Sequence, residues 1–407
     1  MKTIMILCLL PDGRAEMALR EARDLGYRSV FCGEGDCEGV RTLADECLTL
    51  SWDNTGDLIA AAKEHDVDGV VGLCDKATVP ATKVAEALSL PGNPPQAIET
   101  LLSKSAFRDL QRREGLCCPS SRVLAEPPTT VGEATEAVEG LRFPLIVKPL
   151  LCSSSFGQTV LRGPVGLLEA IGEASSHSRN GTVCVEEYIE TDSLRMLECD
   201  VFVVDGEYVW DGARDSWRVT DAPLKPRYDV YPACLSPNEE REFQSAVTTA
   251  LTAAGVQIGE FNIEGFFTPE GRFFIVEINP RQAGFYNPQH IELYCGVNLT
   301  RLLLTTAVGD TGYLEELRHF ERYRRNILSY SVFSDRDGVL DHVYMDPSIL
   351  PRLRAYHSLK RDKRGDWVLS NQTAAWPIAQ VAFEFETSEE LEDVRARIAE
   401  LVYVVLQ

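Results

Sequence analysis

One segment constrains the fold of this chain more than any other, because residues 259 to 281, GEFNIEGFFTPEGRFFIVEINPR, have the pattern of a β-hairpin. Two runs rich in apolar and β-branched residues flank Thr268-Pro269-Glu270-Gly271, which supplies Pro and Gly where a short connection requires them. A four-residue connection pairs Phe267 with Arg272. Since side chains alternate between the faces of a strand, this register predicts one face made of Asn262, Glu264, Phe266, Phe273, Ile275, Glu277 and Asn279. The apolar back is then made of Ile263, Phe267, Phe274, Val276 and Ile278.

Two carboxylates and an amide oxygen meet on the predicted polar face. Glu264, Glu277 and Asn279 therefore form a candidate site for a hard cation. Mg²⁺, with Mn²⁺ as an alternative, takes few protein oxygens and completes its coordination with water and substrate phosphates, so the pattern indicates a metal-bound nucleotide. Two alternatives stay open at this point. The acidic residues could face water on an edge hairpin, or a three-residue connection could separate Glu264 from Glu277.

A second group of residues suits phosphate binding. Residues 143 to 147 form a short apolar run bounded by prolines, typical of a buried strand that delivers Lys148 to the edge of a sheet. The loop that follows is rich in hydroxyl and backbone N–H donors, supplied by Ser153, Ser154, Ser155 and Gly157. A lysine that extends into water and an ordinary turn are the alternatives for these two segments.

These segments resemble, in order, the landmarks of the ATP-grasp superfamily of carboxylate-activating ligases. The string Glu277-Ile278-Asn279-Pro280-Arg281, with a Glu thirteen positions before its first residue, is similar to the metal-binding strand of that family. Lys148 and the serine-rich loop are similar to its phosphate-binding parts. The resemblance implies that Lys104, which opens a helical pattern, contacts phosphate as well.

The resemblance also implies an adenine-binding hinge at Val185-Glu186-Glu187-Tyr188-Ile189. It places Glu186 beside the adenine amino group and gives Glu187 and Ile189 the backbone groups that face the base. The residue that holds the ribose is left open between Asp192 and Glu198.

The chain divides by pattern into three parts, which predicts a multidomain α/β and α+β protein. Short apolar runs over residues 3–10, 29–32 and 69–73 alternate with helical patterns and predict a Rossmann-like lobe over residues 1–93. This lobe has no dinucleotide fingerprint, which argues against a dehydrogenase. The ATP-grasp part is predicted over residues 94–328. A small α+β lobe over residues 329–407 is predicted with strands near 328–345, 365–369 and 379–385 and a closing helix over 388–404.

Composition agrees with a soluble enzyme. The 407 residues are 44% hydrophobic and 25% charged, which is enough to bury several cores. The formal net charge of −22 argues against nucleic acid or an anionic membrane as a partner. Twelve Cys occur without a CxxC pair, and the opening apolar run is too short to span a bilayer, so a cytoplasmic protein with reduced cysteines is expected. The expected partners are small-molecule substrates, and a homodimer is left open.

The resemblance implies an ATP-dependent carboxylate–amine ligase. A carboxylate attacks the γ-phosphate of ATP beside Lys148 and Lys104, and the acyl phosphate passes to an amino acid or small peptide while Arg281 faces the developing oxyanion. The basic and aromatic segment from Asp211 to Pro232 supplies Arg214 and Arg227 as candidates for holding a second carboxylate. The alternatives are a related enzyme that uses bicarbonate or a thiol, and a nucleotide-binding module without catalysis.

Overall fold

The computed structural model describes residues 1–9, 12–150, 157–189, 195–218, 226–359, 363–370 and 377–407. Its strands are β1 (Thr3–Leu7), β2 (Arg28–Gly33), β3 (Glu46–Thr49), β4 (Gly69–Gly72), β5 (Ser121–Leu124), β6 (Leu145–Pro149), β7 (Thr159–Leu161), β8 (Val183–Glu187), β9 (Arg195–Val204), β10 (Glu207–Val209), β11 (Arg214–Arg218), β12 (Pro226–Tyr231), β13 (Ile258–Phe267), β14 (Phe273–Asn279), β15 (Asn326–Val332), β16 (Gly338–Met345), β17 (Leu353–Ser358), β18 (Trp367–Val368), β19 (Ala379–Phe385) and β20 (Val402–Leu406). Its α-helices are α1 (Gly13–Asp24), α2 (Thr55–Glu64), α3 (Asp75–Leu88), α4 (Pro95–Leu102), α5 (Lys104–Arg113), α6 (Val131–Ala137), α7 (Leu167–His177), α8 (Pro237–Ala254), α9 (Asn287–Cys295), α10 (Leu299–Ala307), α11 (Gly312–His319), α12 (Ser388–Ala396) and α13 (Ile398–Leu401). Within these described ranges, every helix is too short or too polar to cross a lipid bilayer.

The chain begins with a four-stranded parallel sheet of order β3-β2-β1-β4. Strand β1 is buried along its whole length, which explains the nearly continuous apolar run that the sequence shows there. The predicted alternation of strands and helices is present, and β3 adds a strand that the sequence pattern did not indicate. Helix α3 begins at Asp75, just beyond the carboxyl end of β4. This is the edge at which open parallel sheets bind ligands.

A second, antiparallel sheet has the order β5-β8-β6-β7. One of its faces packs against helices α6 and α7 through an apolar cluster that includes Leu145, Val147, Val185 and Ile171. The apolar run predicted as a strand corresponds to β6, which also includes Lys148. The predicted hinge over residues 185–189 begins inside β8 and ends two residues after it.

The largest sheet is antiparallel, with the order β14-β13-β9-β11-β12-β15-β19-β17 and β10 added beside β9. Odd-numbered side chains of β9, such as Leu197 and Val201, pack against helices α4, α5 and α8. Even-numbered side chains face the other way. Glu198 and Asp200 are polar, whereas Phe202 packs under helices α9, α10 and α11. One face of the sheet is thus polar at one end and apolar at the other.

The C-terminal strands β15, β17 and β19 continue the large sheet, and β15 spans the predicted boundary after residue 328. The division of the chain into three parts stays a prediction, and its last boundary is not marked by a break in this sheet.

The single closing helix predicted over residues 388–404 is wrong. Helix α12 ends at Ala396, α13 adds one turn, and the chain then forms β20, which pairs antiparallel with β16. Val402 is buried and Tyr403 is exposed, so burial alternates here with the period of a strand.

Candidate active site

The hairpin predicted from the sequence is present, but its register differs from the predicted one. Phe267 lies opposite Phe273 instead of Arg272, so the connection has five residues. Phe273 and Ile275 were predicted on the polar face. Both are buried in the apolar cluster on the opposite face, with helices α4, α5 and α8.

A β-bulge causes this difference. The register shifts between Glu264 and Gly265, where β14 contains one residue more, Val276. Phe274, predicted on the apolar back, consequently lies opposite Phe266, and the two rings meet edge to face with centroids 5.4 Å apart. A Cβ at Gly265 would lie 2.5 Å from the carbonyl oxygen of Phe274, so this bulge requires glycine.

Beyond the bulge, the predicted metal-binding residues share one face. Glu264 lies directly opposite Glu277, and Asn262 lies opposite Asn279, whose Nδ2 donates to Glu277 Oε1 at 3.2 Å. Burial, together with repulsion from Glu277, raises the pKa of Glu264 to about 8. A cation between the two carboxylates would relieve this repulsion.

The donor set fits Mg²⁺ that is shared with a nucleotide. The described part of the chain contains no cluster of three or more His, Cys, Asp and Glu side chains suited to a metal. A cation here would therefore be held by Glu264, Glu277 and the amide oxygen of Asn279, with the remaining positions left to water and phosphate oxygens.

A buried ionic network lies on the same face of the sheet, beside the metal-binding residues. Arg214 is fully buried, and its Nη1 and Nη2 lie 2.6 Å from Asp200 Oδ2 and 2.8 Å from Glu198 Oε2. Its Nε lies 3.7 Å from Asp229 Oδ2. Arg214 was predicted to hold a substrate carboxylate. The structure contradicts this role, because the guanidinium is enclosed by the protein's own carboxylates and reaches no surface.

Arg218 connects this network to the metal-binding residues. Its Nη2 lies 3.2 Å from Glu198 Oε1 and 3.3 Å from Glu264 Oε2. Sequence analysis placed Arg218 in the basic segment considered for a second carboxylate but did not connect it with the metal-binding residues. The signal was the alternation of Arg214 and Arg218 along one strand, which places both on the same face. Glu198, a candidate for ribose binding, is held by these two arginines.

The remaining candidates of that basic segment lie elsewhere. The basic segment includes strands β11 and β12, and Arg227 donates from Nη2 to the hydroxyl of Tyr330 at 2.9 Å. Its guanidinium also lies 5.2 Å from the centre of the Tyr330 ring. Asp192, the other ribose candidate, lies outside the described residues.

Lys148 and Glu186 form an ion pair between strands β6 and β8, with Nζ 2.5 Å from Oε2. Arg108 of helix α5 contacts the other oxygen of Glu186 at 3.0 Å. Although burial opposes ionisation, these two cations lower the pKa of Glu186 to about 2. Glu186 is therefore ionised and fixes the position of Lys148 near the end of β6.

Arg108 also holds the bulged strand. Its Nη2 donates to the carbonyl of Val276 at 3.0 Å, and its Nη1 donates to the carbonyl of Ile275 at 3.3 Å. Gln111, one turn further along α5, donates to the same carbonyl of Ile275 at 3.0 Å. One buried guanidinium thus links the predicted adenine hinge to the bulge that orients Glu277.

The other predicted nucleotide-binding residues lie on helix α5 and near strands β7 and β8. Lys104 is the first residue of α5, and Gly157 precedes β7 with a φ of 67°. The backbone N–H of Glu187 donates to the carbonyl of Ser120 at 2.9 Å, so any backbone contact of Glu187 with adenine would use its carbonyl. Ile189 follows as a half-buried residue after the end of β8. The predicted phosphate-loop residues Ser153, Ser154 and Ser155 lie outside the described residues.

Arg281 follows the metal-binding strand and reaches the first lobe. Its Nε donates to Asp75 Oδ1 at 2.7 Å, and its Nη1 donates to the carbonyl of Gln282 at 3.0 Å. Glu260 of β13 is nearby and 2% exposed, and burial raises its pKa well above the usual range. Sequence analysis did not single out Glu260, since an acidic residue in a strand pattern carries no signal of burial.

Comparison with known proteins identifies the family to which the chain is similar. Residues 104–309 match the family model "Carbamoyl-phosphate synthase L chain, ATP binding domain". A formate-dependent phosphoribosylglycinamide formyltransferase of Prochlorococcus marinus is 26% identical over 274 residues, which cover 64% of this chain and 66% of that protein. The chain spans only 58 to 66% of the length of the first curated relatives.

Solved structures share the fold over almost the whole chain. The L-amino acid ligase from Bacillus licheniformis is 19% identical with a TM-score of 0.83, covering 100% of this chain and 99% of that one. The biotin carboxylase domain of the Hydrogenobacter thermophilus 2-oxoglutarate carboxylase, solved with MgADP and bicarbonate, is 17% identical with a TM-score of 0.72, covering 99% and 90%. These likenesses confirm the predicted fold class. The match over half of the sequence places this chain in the ATP-grasp superfamily, with the ATP-binding domain of the carbamoyl-phosphate synthase large chain.

Proposed function

We propose that this protein is an ATP-dependent carboxylate–amine ligase that activates a carboxylate as an acyl phosphate and transfers it to an amino acid or another small amine. The observation that carries the proposal is the pairing of Glu264 with Glu277 on one face beside Asn279. Two similarities support it. One relative uses formate, a carboxylate, and one structural neighbour is an L-amino acid ligase, as their names state.

In the first step, a carboxylate oxygen of the substrate attacks the γ-phosphorus of ATP. The new bond joins this oxygen to phosphorus, and the bond from the γ-phosphorus to the bridging oxygen breaks, so ADP leaves. Lys148 and Lys104 are assigned to the phosphate oxygens, and the ion pair with Glu186 fixes the position of Lys148. Mg²⁺ held by Glu264, Glu277 and Asn279 would supply charge neutralisation on the phosphates.

In the second step, the neutral amine attacks the carbonyl carbon of the acyl phosphate. The carbonyl π-electrons move to oxygen, and Arg281 is assigned to this oxyanion because it follows Asn279 by two residues and its charge acts on Glu264. The tetrahedral intermediate then collapses, the bond to phosphate breaks, and the nitrogen gives up its extra proton to solvent. Positioning and charge carry this chemistry, so no protein nucleophile is needed.

The proposal is tested by measuring ADP and phosphate release from the full chain with ATP and Mg²⁺ in the presence of paired carboxylates and amines. Amino-acid pairs form the first panel, and the product is identified by mass. We expect phosphate release that requires both a carboxylate and an amine. The Glu277→Gln variant should lose this activity, and the Glu270→Gln variant is a matched control, because Glu270 is exposed in the turn of the same hairpin.

Four outcomes would contradict the proposal. Turnover with bicarbonate alone would favour a carboxylase-like reaction, and turnover with a thiol acceptor would favour an acid–thiol ligase. Equal phosphate release by the Glu277→Gln variant would remove the hairpin from the chemistry. Nucleotide binding without turnover across the whole panel would favour a module that has lost catalysis.

A further inference from the structure

A cavity lies between the first lobe and the hairpin, apart from the predicted metal-binding residues. It has a volume of ≈ 80 Å³ and is walled by β4 and α3 on one side, by residues 258–261 of β13 on another, and by α10. A single water needs about 10–15 Å³ by the same measure, so the cavity has room for several non-hydrogen atoms. Most of its wall is apolar and includes Val71, Ala81, Ile98 and Leu303.

One carboxylate lies in this wall without a partner. Glu260 is 2% exposed, and neither of its oxygens has a hydrogen bond of regular geometry to a residue that the structure describes, although the amide of Gln282 is close enough to oppose the rise that burial causes in the pKa of this carboxyl. A buried carboxylate without a hydrogen bond or a cation costs several kcal/mol, so such groups are normally paired. Glu260 therefore lacks a partner that a ligand would supply.

The register of the hairpin relates Glu260 to the reacting groups. Glu264 lies opposite Glu277, and Asn262 lies opposite Asn279, so Glu260 is the next residue on this face of β13. Arg281 lines the same cavity. Pairs on one face of a strand are spaced by about 7 Å, which places Glu260 about 13 Å along the strand from Glu264. The cavity thus adjoins the end of the polar face at which Arg281 is assigned to the carbonyl.

The residues that line the cavity suit an organic ammonium ion better than a metal ion. The hydroxyls of Thr78, Thr82 and Thr306 line the cavity, but each donates to a carbonyl of its own helix. A hard cation needs about six oxygen ligands, which this wall does not offer. An ammonium group needs only a few acceptors, and its carbon chain suits the aliphatic wall.

We propose that this cavity is the acceptor pocket of the ligase, where Glu260 binds a small primary aliphatic amine as its ammonium ion and takes one proton from it, which leaves the neutral amine that attacks the acyl phosphate. The inference rests on the proposed function and adds to it the class of the amine and the residue that selects it. A neutral molecule of the same shape, such as an alcohol, leaves the carboxylate unpaired and is rejected.

A purely structural role predicts a different behaviour. Burial keeps Glu260 neutral in that case, and its acidic proton is donated to Gln282, whose Oε1 also lacks a hydrogen-bond partner in the described part of the chain. A glutamine at position 260 can make the same donation through its amide. The Glu260→Gln variant therefore separates the two roles, because it preserves the hydrogen bond and removes the charge.

The test measures binding to the full chain without ATP, by calorimetry and thermal shift. Ethylammonium and propylammonium chloride are compared with ethanol and propanol at equal ionic strength. We expect the wild-type protein and the Glu270→Gln control to bind the amines and not the alcohols. The Glu260→Gln variant should bind the amines at least 10-fold more weakly at an unchanged melting temperature. Equal amine binding by this variant, or equal binding of alcohols, would overturn the proposal.

A second variant covers the case in which Glu260→Gln does not fold. Ala81→Val retains Glu260 and fills part of the cavity, so it should weaken propylammonium more than ethylammonium. Unchanged affinities for both amines would overturn the proposal. The proposal of the amine pocket and the proposal of ligase activity can be refuted independently. Amine-dependent ATP turnover whose amine KM is unaffected by Glu260→Gln refutes the pocket alone, whereas amine binding without any ATP turnover refutes the ligase alone.

Discussion

Replacement of Arg108 by Met tests how the adenine hinge and the metal-binding hairpin are joined. The side chain is 3% exposed and contacts Glu186 at 3.0 Å, and it donates to the carbonyl of Val276 at 3.0 Å. Met has a similar length and fills the space without charge or donors. The variant therefore removes the ionic and hydrogen-bonding contributions and retains most of the packing.

The magnitude follows from the contacts of Glu186. Burial acts against ionisation, yet Arg108 and Lys148 lower the pKa of Glu186 from 4.5 to about 2. At about 1.36 kcal/mol per pKa unit, this shift corresponds to about 3 kcal/mol shared between the two cations. Loss of the donor to the carbonyl of Val276 adds about 1–3 kcal/mol. Since Lys148 still pairs with Glu186 in the variant, we expect the free energy of unfolding to fall by about 3 kcal/mol at pH 7.

The pH dependence gives a second readout with a defined sign. A carboxyl group whose pKa is depressed by folding stabilises the folded state above its unfolded pKa, and this stabilisation is lost as the pH falls towards the folded pKa. For Glu186 that window runs from 4.5 down to about 2. In Arg108→Met the folded pKa rises towards the ordinary value. The difference in stability between the two proteins should therefore narrow from pH 7 to pH 3.5.

Urea unfolding followed by circular dichroism at pH 7, 4.5 and 3.5 measures both quantities. Arg112→Met is the matched control, because Arg112 lies on the same helix with its side chain 46% exposed and pairs only with surface groups. We expect less than about 0.5 kcal/mol for the control. A loss below about 1 kcal/mol for Arg108→Met, or a difference that does not change with pH, would refute this account.

Three further substitutions test the hairpin. Glu277→Gln should lower ATP-dependent phosphate release at least 100-fold. The metal-free variant should melt at the same or a higher temperature than the wild-type protein, because the repulsion between Glu264 and Glu277 is removed, and a lower melting temperature would contradict this. Gly265→Ala should lower the free energy of unfolding by about 2 kcal/mol in urea titrations, because its Cβ meets the carbonyl of Phe274, and unchanged stability would show that the bulge tolerates a side chain. Arg281→Lys should lower kcat at least 10-fold with an unchanged KM for ATP, because lysine keeps the charge but not the forked donors; a change in KM alone would place Arg281 in nucleotide binding.

The hairpin shows how far the sequence could predict the site. The predicted placement of Glu264, Glu277 and Asn279 on one face agrees with the structure because two deviations cancel: the connection has one residue more than predicted, and the bulge adds one residue to β14. Side-chain alternation alone does not give this placement. It could not predict the register, because the bulge changes the parity between the turn and the metal-binding end. Phe273 was misplaced for that reason. Gly265 was the one visible sign, since a glycine inside a strand pattern often marks a bulge.

Ionic contacts between residues far apart in the chain could not be predicted from the sequence, for a different reason. Arg214 belonged to a conspicuous basic segment, but only the fold brings Asp200 and Glu198 to it. A basic residue in a polar segment is usually solvated, so its complete burial could not be anticipated. The prediction of a single closing helix was wrong for a similar reason, since contacts with a distant strand determine the structure there. The residues after Ala396 have apolar positions that suit either a helix or a strand, and pairing with β16 decides for a strand.

The ion pair of Arg281 and Asp75 joins groups 206 positions apart in the chain, one after the metal-binding strand and one at the start of α3 in the first lobe. The orientation of the Arg281 guanidinium therefore depends on two distant segments of the chain, the end of the hairpin and the first lobe. A hybrid that takes its first 93 residues from another protein of this fold keeps that orientation only if it supplies an acid at the first position of the third helix. Exchange of lobes between such proteins, in the laboratory or in evolution, is constrained by this one carboxylate.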